Sequence, residues 1–343
     1  MSAASVSSRK FGAHGPLNVS RIGYGAMSLS FYKLTPDSDV DAAESALEDS
    51  IVAYIEACAQ AGVLAHLDTA LIYTGHKTHS EVICGRAIKR VGREKVFLAT
   101  KGSIDLPTWK NNSSDEGLRA HISASLARLD VDCIDLYYEH RRDTATPVAD
   151  MVATMKALVA EGKIKHVGMS ECTPAELREA AALHPIAAVQ IEWSLQSRDV
   201  EAALVPACRE VGAAIVCYSP LGRGFLAQAF TKRDDLAADD WRLTQPRYSA
   251  EHFAENAQRA GGIKALADAR GVTPAPLALA WLLAQGDDVF PIPGTKAASR
   301  ALENLAAGSL ALAPAEAAAV AAAVPEADGD RYTNKWGQYD TRM

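Results

Sequence analysis

Four polar residues stand where short apolar runs of the chain give out. Asp68 lies inside HLDTALIY (66–73) and Tyr73 closes that run. Lys101 comes near the end of VFLATKG (96–102), and His140 closes CIDLYYEH (133–140). Together these types suit acid–base work on a carbonyl. A phenol with an ordinary pKa of ~10 keeps its proton at neutral pH. A nearby ammonium stabilises the phenolate and eases the departure of that proton. An aspartate beside the lysine holds it charged and in place. A histidine beside the phenol can donate to the same carbonyl oxygen. The set amounts to a proton donor over a carbonyl, as general acid catalysis requires. It lacks a hydride source, and no side chain supplies one, so a redox cofactor is implied. Singly, each residue has a plain structural reading: a turn aspartate, a surface ring, a solvated lysine, a rim histidine. Their succession at consecutive strand ends carries the inference.

That succession needs a scaffold that brings strand ends to one rim. Strand-type runs fall at 22–28, 66–73, 96–102, 133–140, 165–171, 187–193, 213–220 and 289–295. Helical patterns alternate with them at 44–61, 80–91, 116–129, 147–161, 174–183 and 200–211, then 255–270, 274–285, 299–306 and 313–323. Eight β-then-α units predict a single α/β domain, a (β/α)8 TIM barrel, with its active site at the C-terminal ends of the strands. The domain takes in 1–343, with a core of about 10–325 and a C-terminal tail over 326–343. An N-terminal hairpin over 11–21 is expected to cap the barrel floor. Gly62, Gly162 and Gly212 precede strands, where a helix ends well on glycine. The Gly23-x-Gly25 pair has no third glycine and no acidic ribose-binding residue after a second strand. It reads as a strand-end turn, not as the fingerprint of a doubly wound sheet.

Composition narrows the partners. The chain of 343 residues is 48% hydrophobic and 22% charged, an ordinary globular balance. Thirty-five Lys and Arg against 42 Asp and Glu give a net charge of −7, unsuited to general binding of nucleic acid or anionic membrane. The six cysteines form no C-x-x-C and sit among apolar residues, as in a reduced cytoplasmic protein. His76 and His79 lie near Cys84, but no ligand set has metal spacing, so no metal is expected. The opening MSAASVSSRKFG has no apolar core for secretion, and no run is long enough to span a membrane.

The segments D68-T-A-L-I-Y73, F97-L-A-T-K101, I134-D-L-Y-Y-E-H140, Y218-S-P-L-G-R-G224, P291-I-P-G-T-K296 and L302-E-N304 resemble, in order and spacing, the aldo-keto reductase superfamily. The likeness runs over roughly residues 10 to 325. HRRDTATPVADMVATMKALVAEGKIKHVGMSE and HPIAAVQIEWSLQSRD are similar to its plant and microbial branch, which includes perakine and pyridoxal reductases. The resemblance implies a TIM barrel, use of NADPH/NADP+, and a catalytic tetrad of Asp68, Tyr73, Lys101 and His140. Tyr73 would be the acid in reduction and the base in the reverse direction, Lys101 and Asp68 would tune it, and His140 would orient the carbonyl. The pro-R hydride would pass to the carbonyl carbon.

Matching positions also imply the cofactor contacts. Ser170 and Gln190 would hold the nicotinamide carboxamide, and Tyr218 would stack under the ring. Glu171 stands where relatives often have asparagine; it can accept a hydrogen bond from the amide but not donate one. Gly25, Ala26 and Met27 would border the ribose, with Asp68 close by. The loop Ser219, Pro220, Leu221 and Gly222 can present N–H groups to a pyrophosphate, with Arg223 adding charge. Gly294, Thr295 and Lys296 lead into a helix on which Arg300, Glu303 and Asn304 share a face. Two cations at a helix N-terminus suit a 2′-phosphate, hence NADPH over NADH. Glu303 and Asn304 suit the adenine amine.

The substrate expected is a small-molecule carbonyl, with Tyr32, Trp109 and His140 as candidate contacts and Trp193 as a further one. The segment 31–45 reads as a surface insertion, and Trp241 to Tyr248 as a possible belt over the cofactor. RYTNKWGQYD (331–340) offers aromatic rings that could fold over the barrel mouth. A barrel of this kind can stand alone, without a second copy. Two other functions fit the same residues: a dehydrogenase working in the oxidative direction, and an NADPH-binding sensing barrel with little turnover. The related potassium-channel β subunits, of the second kind, replace the histidine by asparagine, so His140 favours the enzyme.

Overall fold

The computed structural model describes residues 6–16, 18–30, 39–74 and 78–332. Eight parallel strands follow one another round the sheet in chain order. They are β1 (Tyr24–Gly25), β2 (Ala65–Asp68), β3 (Val96–Gly102), β4 (Ile134–Glu139), β5 (Ile164–Ser170), β6 (Ile186–Glu192), β7 (Ala214–Tyr218) and β8 (Val289–Pro291). The last meets the first: Gly25 bridges Gly294 in parallel, and the Gly23 N–H donates to the Pro291 carbonyl at 2.8 Å. The sheet is therefore a closed barrel, which leaves no open edge. The close approach explains Gly25, since a Cβ there would lie 2.5 Å from the Ile292 carbonyl oxygen.

Strands alternate in-facing and out-facing residues with period two. In β3, Phe97 and Ala99 belong to the barrel interior and Val96 and Leu98 to the outer core against the helices. Lys101 continues the inward series. The same count places Asp68 on β2, His140 just past β4, Ser170 on β5 and Gln190 on β6 at the inner C-terminal rim. The strands are almost wholly buried, which suits a parallel sheet covered by helices.

The helices are α1 (Val40–Gln60), α2 (Ser80–Val91), α3 (Asp115–Leu129), α4 (Val148–Ala160), α5 (Pro174–Leu183), α6 (Leu204–Val211), α7 (Phe253–Gly261), α8 (Ile263–Ala269), α9 (Pro274–Leu283), α10 (Ala298–Ala306) and α11 (Pro314–Ala323). Three expectations change. The first strand is only two residues long, because Ala26–Ser30 coils into a 3-10 turn. The first helix starts at Val40, four residues early, where the Asp39 carboxylate caps the Ala42 N–H. The helix expected over 255–270 is two, meeting at Gly262, where a Cβ would lie within contact distance of the Ala323 carbonyl. Among the described residues no helix is long and apolar enough to cross a membrane.

The N-terminal hairpin pairs Ser8–Arg9 with Val19–Ser20. Its turn carries Phe11 into the barrel floor, fully buried against Phe97, Phe290 and His66 at ring separations of 4.7, 4.6 and 5.2 Å. Phe11→Ala should therefore cost about 3–5 kcal/mol, the usual range for emptying a packed aromatic site. Urea unfolding checks this through a lower midpoint at unchanged slope. Because the floor is the end opposite the strand C-termini, cofactor affinity should not change.

Candidate active site

At the opposite end the tetrad residues meet. Lys101 Nζ donates to Asp68 Oδ1 at 2.5 Å and to the Thr69 carbonyl at 2.6 Å. Asp68 Oδ2 accepts from Gln190 Nε2 at 2.8 Å. Asp68 and Lys101 are each only 1% exposed. Burial raises the Asp68 carboxyl pKa, and Lys101 opposes that rise. Burial pulls the Lys101 ammonium down, but Asp68 and Tyr73 outweigh it and hold it above the usual lysine range. Below them the interior His66 is pushed down to about 3, by burial first and then by Lys101, so it is neutral.

Tyr73 lies five residues past β2, in a loop tied at both ends. Its N–H donates to the Ala70 carbonyl and its carbonyl accepts from the Ser80 N–H. His79 clamps the loop to α2: Nδ1 accepts from the Glu81 N–H at 3.0 Å while Nε2 donates to the Leu71 carbonyl at 2.6 Å. His79 is thus a helix cap that fixes the loop. The Tyr73 ring lies 5.2 Å from Lys101 Nζ and edge-on to His140 at 6.2 Å. Burial raises the phenol's pKa, and Lys101 is the largest influence lowering it.

His140 is buried, and its backbone N–H donates to the Gly102 carbonyl and to Ser103 Oγ. Burial, then Arg141 and Lys101, push its pKa well down, so the ring is neutral. Its Nδ1 has no hydrogen-bond partner among the described residues. Arg141, which sequence reasoning passed over, reaches back to the His140 carbonyl (2.8 Å) and to Ser170 Oγ (3.3 Å). Its guanidinium lies 6.0 Å from the Tyr218 ring.

Glu171 does not project like a solvated rim acid. It takes a left-handed backbone, φ 52°, and accepts from the Glu192 N–H (3.1 Å), the Tyr218 hydroxyl (2.9 Å) and both terminal nitrogens of Arg331. Arg331 and Tyr332 come from the C-terminal segment, where no periodicity marked them. The only sequence signal was their aromatic and basic composition.

The loop after β7 is a concave turn. Ser219, Gly222, Arg223 and Gly224 all have positive φ, an arrangement whose N–H groups can converge on an anion. The Arg223 charge is met by Glu192 at 2.9 Å, and its guanidinium lies 5.5 Å from the Trp241 ring and 4.9 Å from the Tyr332 ring. Arg223 thus joins the long seventh loop to the C-terminal segment.

The start of α10 lies at the exit of β1. Ser28 Oγ and Tyr24 Oη both donate to the Thr295 carbonyl, setting the exit of β1 beside 294–296. α10 has no side-chain cap and no acid in its first turn, where Arg300 is exposed. A cation is unfavourable at a helix N-terminus unless an anion sits there. Asn304 is 6% exposed. Glu303 accepts from Thr273 Oγ1 at 2.6 Å. A helix start with an exposed arginine and no acid in its first turn fits a phosphorylated dinucleotide.

Trp109 is half-buried in the hairpin joining Ile104–Asp105 to Lys110–Asn111 beyond β3. Trp193 is 2% exposed, and its indole N–H donates to Glu201 Oε1 at 3.0 Å. Tyr32, His76, Trp336 and Tyr339 lie outside the described residues. Of the segment 31–45, the described part is the cap and start of α1.

Comparison with known proteins shows the family. Residues 21–325 match the model of the aldo/keto reductase family. A probable aldo-keto reductase 1 from Glycine max is 39% identical over 339 residues, covering 97% of this chain and 94% of the relative. A glycerol dehydrogenase from Gluconobacter oxydans superposes with TM-score 0.77 at 24% identity, over 97% of this chain and 100% of that one. An aldo/keto reductase from Klebsiella pneumoniae, solved with NADP and acetate, superposes with TM-score 0.70 at 24% identity, over 96% and 99%. At such identities the two structures speak to the fold.

Proposed function

Because the chain belongs to the aldo/keto reductase family, we propose that it reduces an aldehyde or ketone to an alcohol with NADPH. The observation that carries this reading is the buried Asp68–Lys101 pair set against the Tyr73 ring beside a neutral His140. When bound, NADPH supplies the hydride. Tyr73 supplies the proton: its phenol is protonated at neutral pH, and Lys101 stabilises the phenolate left behind. Asp68 keeps Lys101 charged in a buried place. Neutral His140 offers a ring N–H to the carbonyl oxygen and fixes its direction. Ser170 and Gln190 would receive the carboxamide, Tyr218 the ring face, and the 219–224 turn the pyrophosphate. Lys296, Arg300 and the start of α10 would receive the 2′-phosphate, and Asn304 the base.

The test follows absorbance of the reduced nicotinamide, NADPH against NADH, over aldehydes and ketones that include pyridoxal. Turnover that prefers NADPH is expected. Binding of NADPH without consumption of any of them would favour the sensing barrel. A second measurement isolates the phosphate. Lys296→Ala with Arg300→Ala should weaken NADPH by about 10-fold or more, the loss of one or two charged hydrogen bonds. NADH, lacking the 2′-phosphate, should change within about twofold. Equal losses would move the phosphate elsewhere.

A further inference from the structure

The C-terminal segment past α11 is strapped across the barrel rim. The Ala327 N–H donates to the Gln196 carbonyl. Asn256, fully buried, holds Asp328 from both sides: its Oδ1 accepts from the Asp328 N–H at 2.7 Å and its Nδ2 donates to the Asp328 carbonyl at 2.9 Å. Arg247 Nε donates to the Gly329 carbonyl. Two residues on, the strap delivers Arg331 to Glu171 at 3.2 Å, with both side chains under a tenth exposed. The pair is not an isolated surface contact. Glu171 Oε1 is also the acceptor for the Tyr218 hydroxyl, and Tyr332 of the same strap meets that hydroxyl at 3.0 Å.

We propose that Arg331 is a positioning residue for the nicotinamide end of the cofactor, acting through Glu171 on the ring of Tyr218. This rests on the reading of the site given above. The physical argument has three steps. First, Glu171 has a left-handed backbone, which a side chain with a Cβ adopts at a cost. Something must hold it there, and a two-nitrogen guanidinium grip does so with fixed geometry. Second, a buried carboxylate without a partner is strongly disfavoured. Arg331 therefore keeps Glu171 charged, so it stays an acceptor for Tyr218. Third, a phenol held at its hydroxyl has its ring plane restricted. A ring fixed before the cofactor arrives lowers the ordering cost of stacking.

The test uses full-length protein and three forms: wild type, Arg331→Lys and Arg331→Met. NADPH affinity is read from quenching of intrinsic fluorescence, and the hydride step from the isotope effect with NADPH deuterated at the pro-R position. Arg331→Met should raise the NADPH Kd about tenfold and enlarge the isotope effect on kcat. Arg331→Lys keeps the charge but loses the fork, and should fall between. A misfolded fraction scales kcat but leaves the isotope effect untouched, so a purely structural role would not move it. If Arg331→Met does not fold, Arg331→Lys decides alone. A Kd and isotope effect equal to wild type in the folded variants would overturn the proposal and leave the reductase reading intact. A wild type that binds no NADPH would overturn both.

Discussion

Tyr73→Phe should lower carbonyl reduction by about 10²–10⁴-fold, the usual contribution of a positioned general acid, and leave NADPH affinity nearly unchanged. The substitution removes one oxygen and keeps the ring that packs edge-on to His140 and beside Lys101. The alternative donor is weak. His140 is kept neutral by burial and by the neighbouring cations Arg141 and Lys101, so no imidazolium stands ready to replace the phenol. Burial raises the Tyr73 pKa, and Lys101 opposes the rise. Reduction by wild type should therefore hold across neutral pH and fall only on the alkaline side, as the phenol loses its proton. Oxidation of the alcohol should change in the opposite sense. Single-turnover decay of bound NADPH measures the step directly. A Tyr73→Phe rate close to wild type would take the proton donor's role away from Tyr73.

Much of this site was legible because a barrel converts strand order into geometry. Once VFLATKG and its neighbours are read as strands, a common rim places Asp68, Lys101 and His140 together without any knowledge of contacts, and the family resemblance adds Ser170 and Gln190. The parts that were not legible depend on tertiary partners. Nothing local says that Glu171 faces inward to an arginine 160 residues away. His79 looks like any loop histidine until its two ring nitrogens are seen holding the Glu81 N–H and the Leu71 carbonyl. Trp193 follows a strand, and nothing local says that its indole N–H donates to Glu201. The long pattern over 255–270 hid a break, because Gly262 fits a helical period as well as a close approach to the end of α11.

Lys101→Met should damage both stability and turnover, and the two losses can be separated. Lys101 is the only cation in hydrogen-bond contact with Asp68 among the described residues, and both side chains are buried. Breaking a buried pair from one side typically costs about 3–5 kcal/mol, because the remaining charge is stranded. Gln190 alone would be left to hold the carboxylate. The variant relieves that charge by taking up a proton, so the Asp68 pKa, already raised by burial, rises further. An acid whose folded pKa lies above its unfolded value binds more protons when folded. Its penalty is full at high pH and shrinks as pH falls toward the ordinary carboxylate range near ~4. Lys101→Met should thus gain stability relative to wild type on acidification from neutral pH, read as a converging pair of urea midpoints. Adding Asp68→Asn removes the stranded charge and should restore most of the midpoint at neutral pH. It should not restore turnover, because the ammonium that stabilises the Tyr73 phenolate is still missing. Removal of one preorganised electrostatic group of this kind costs roughly 10²–10³ in rate. A double variant with both stability and rate recovered would mean that Lys101 serves the fold alone, and the proton chemistry would have to be assigned without it.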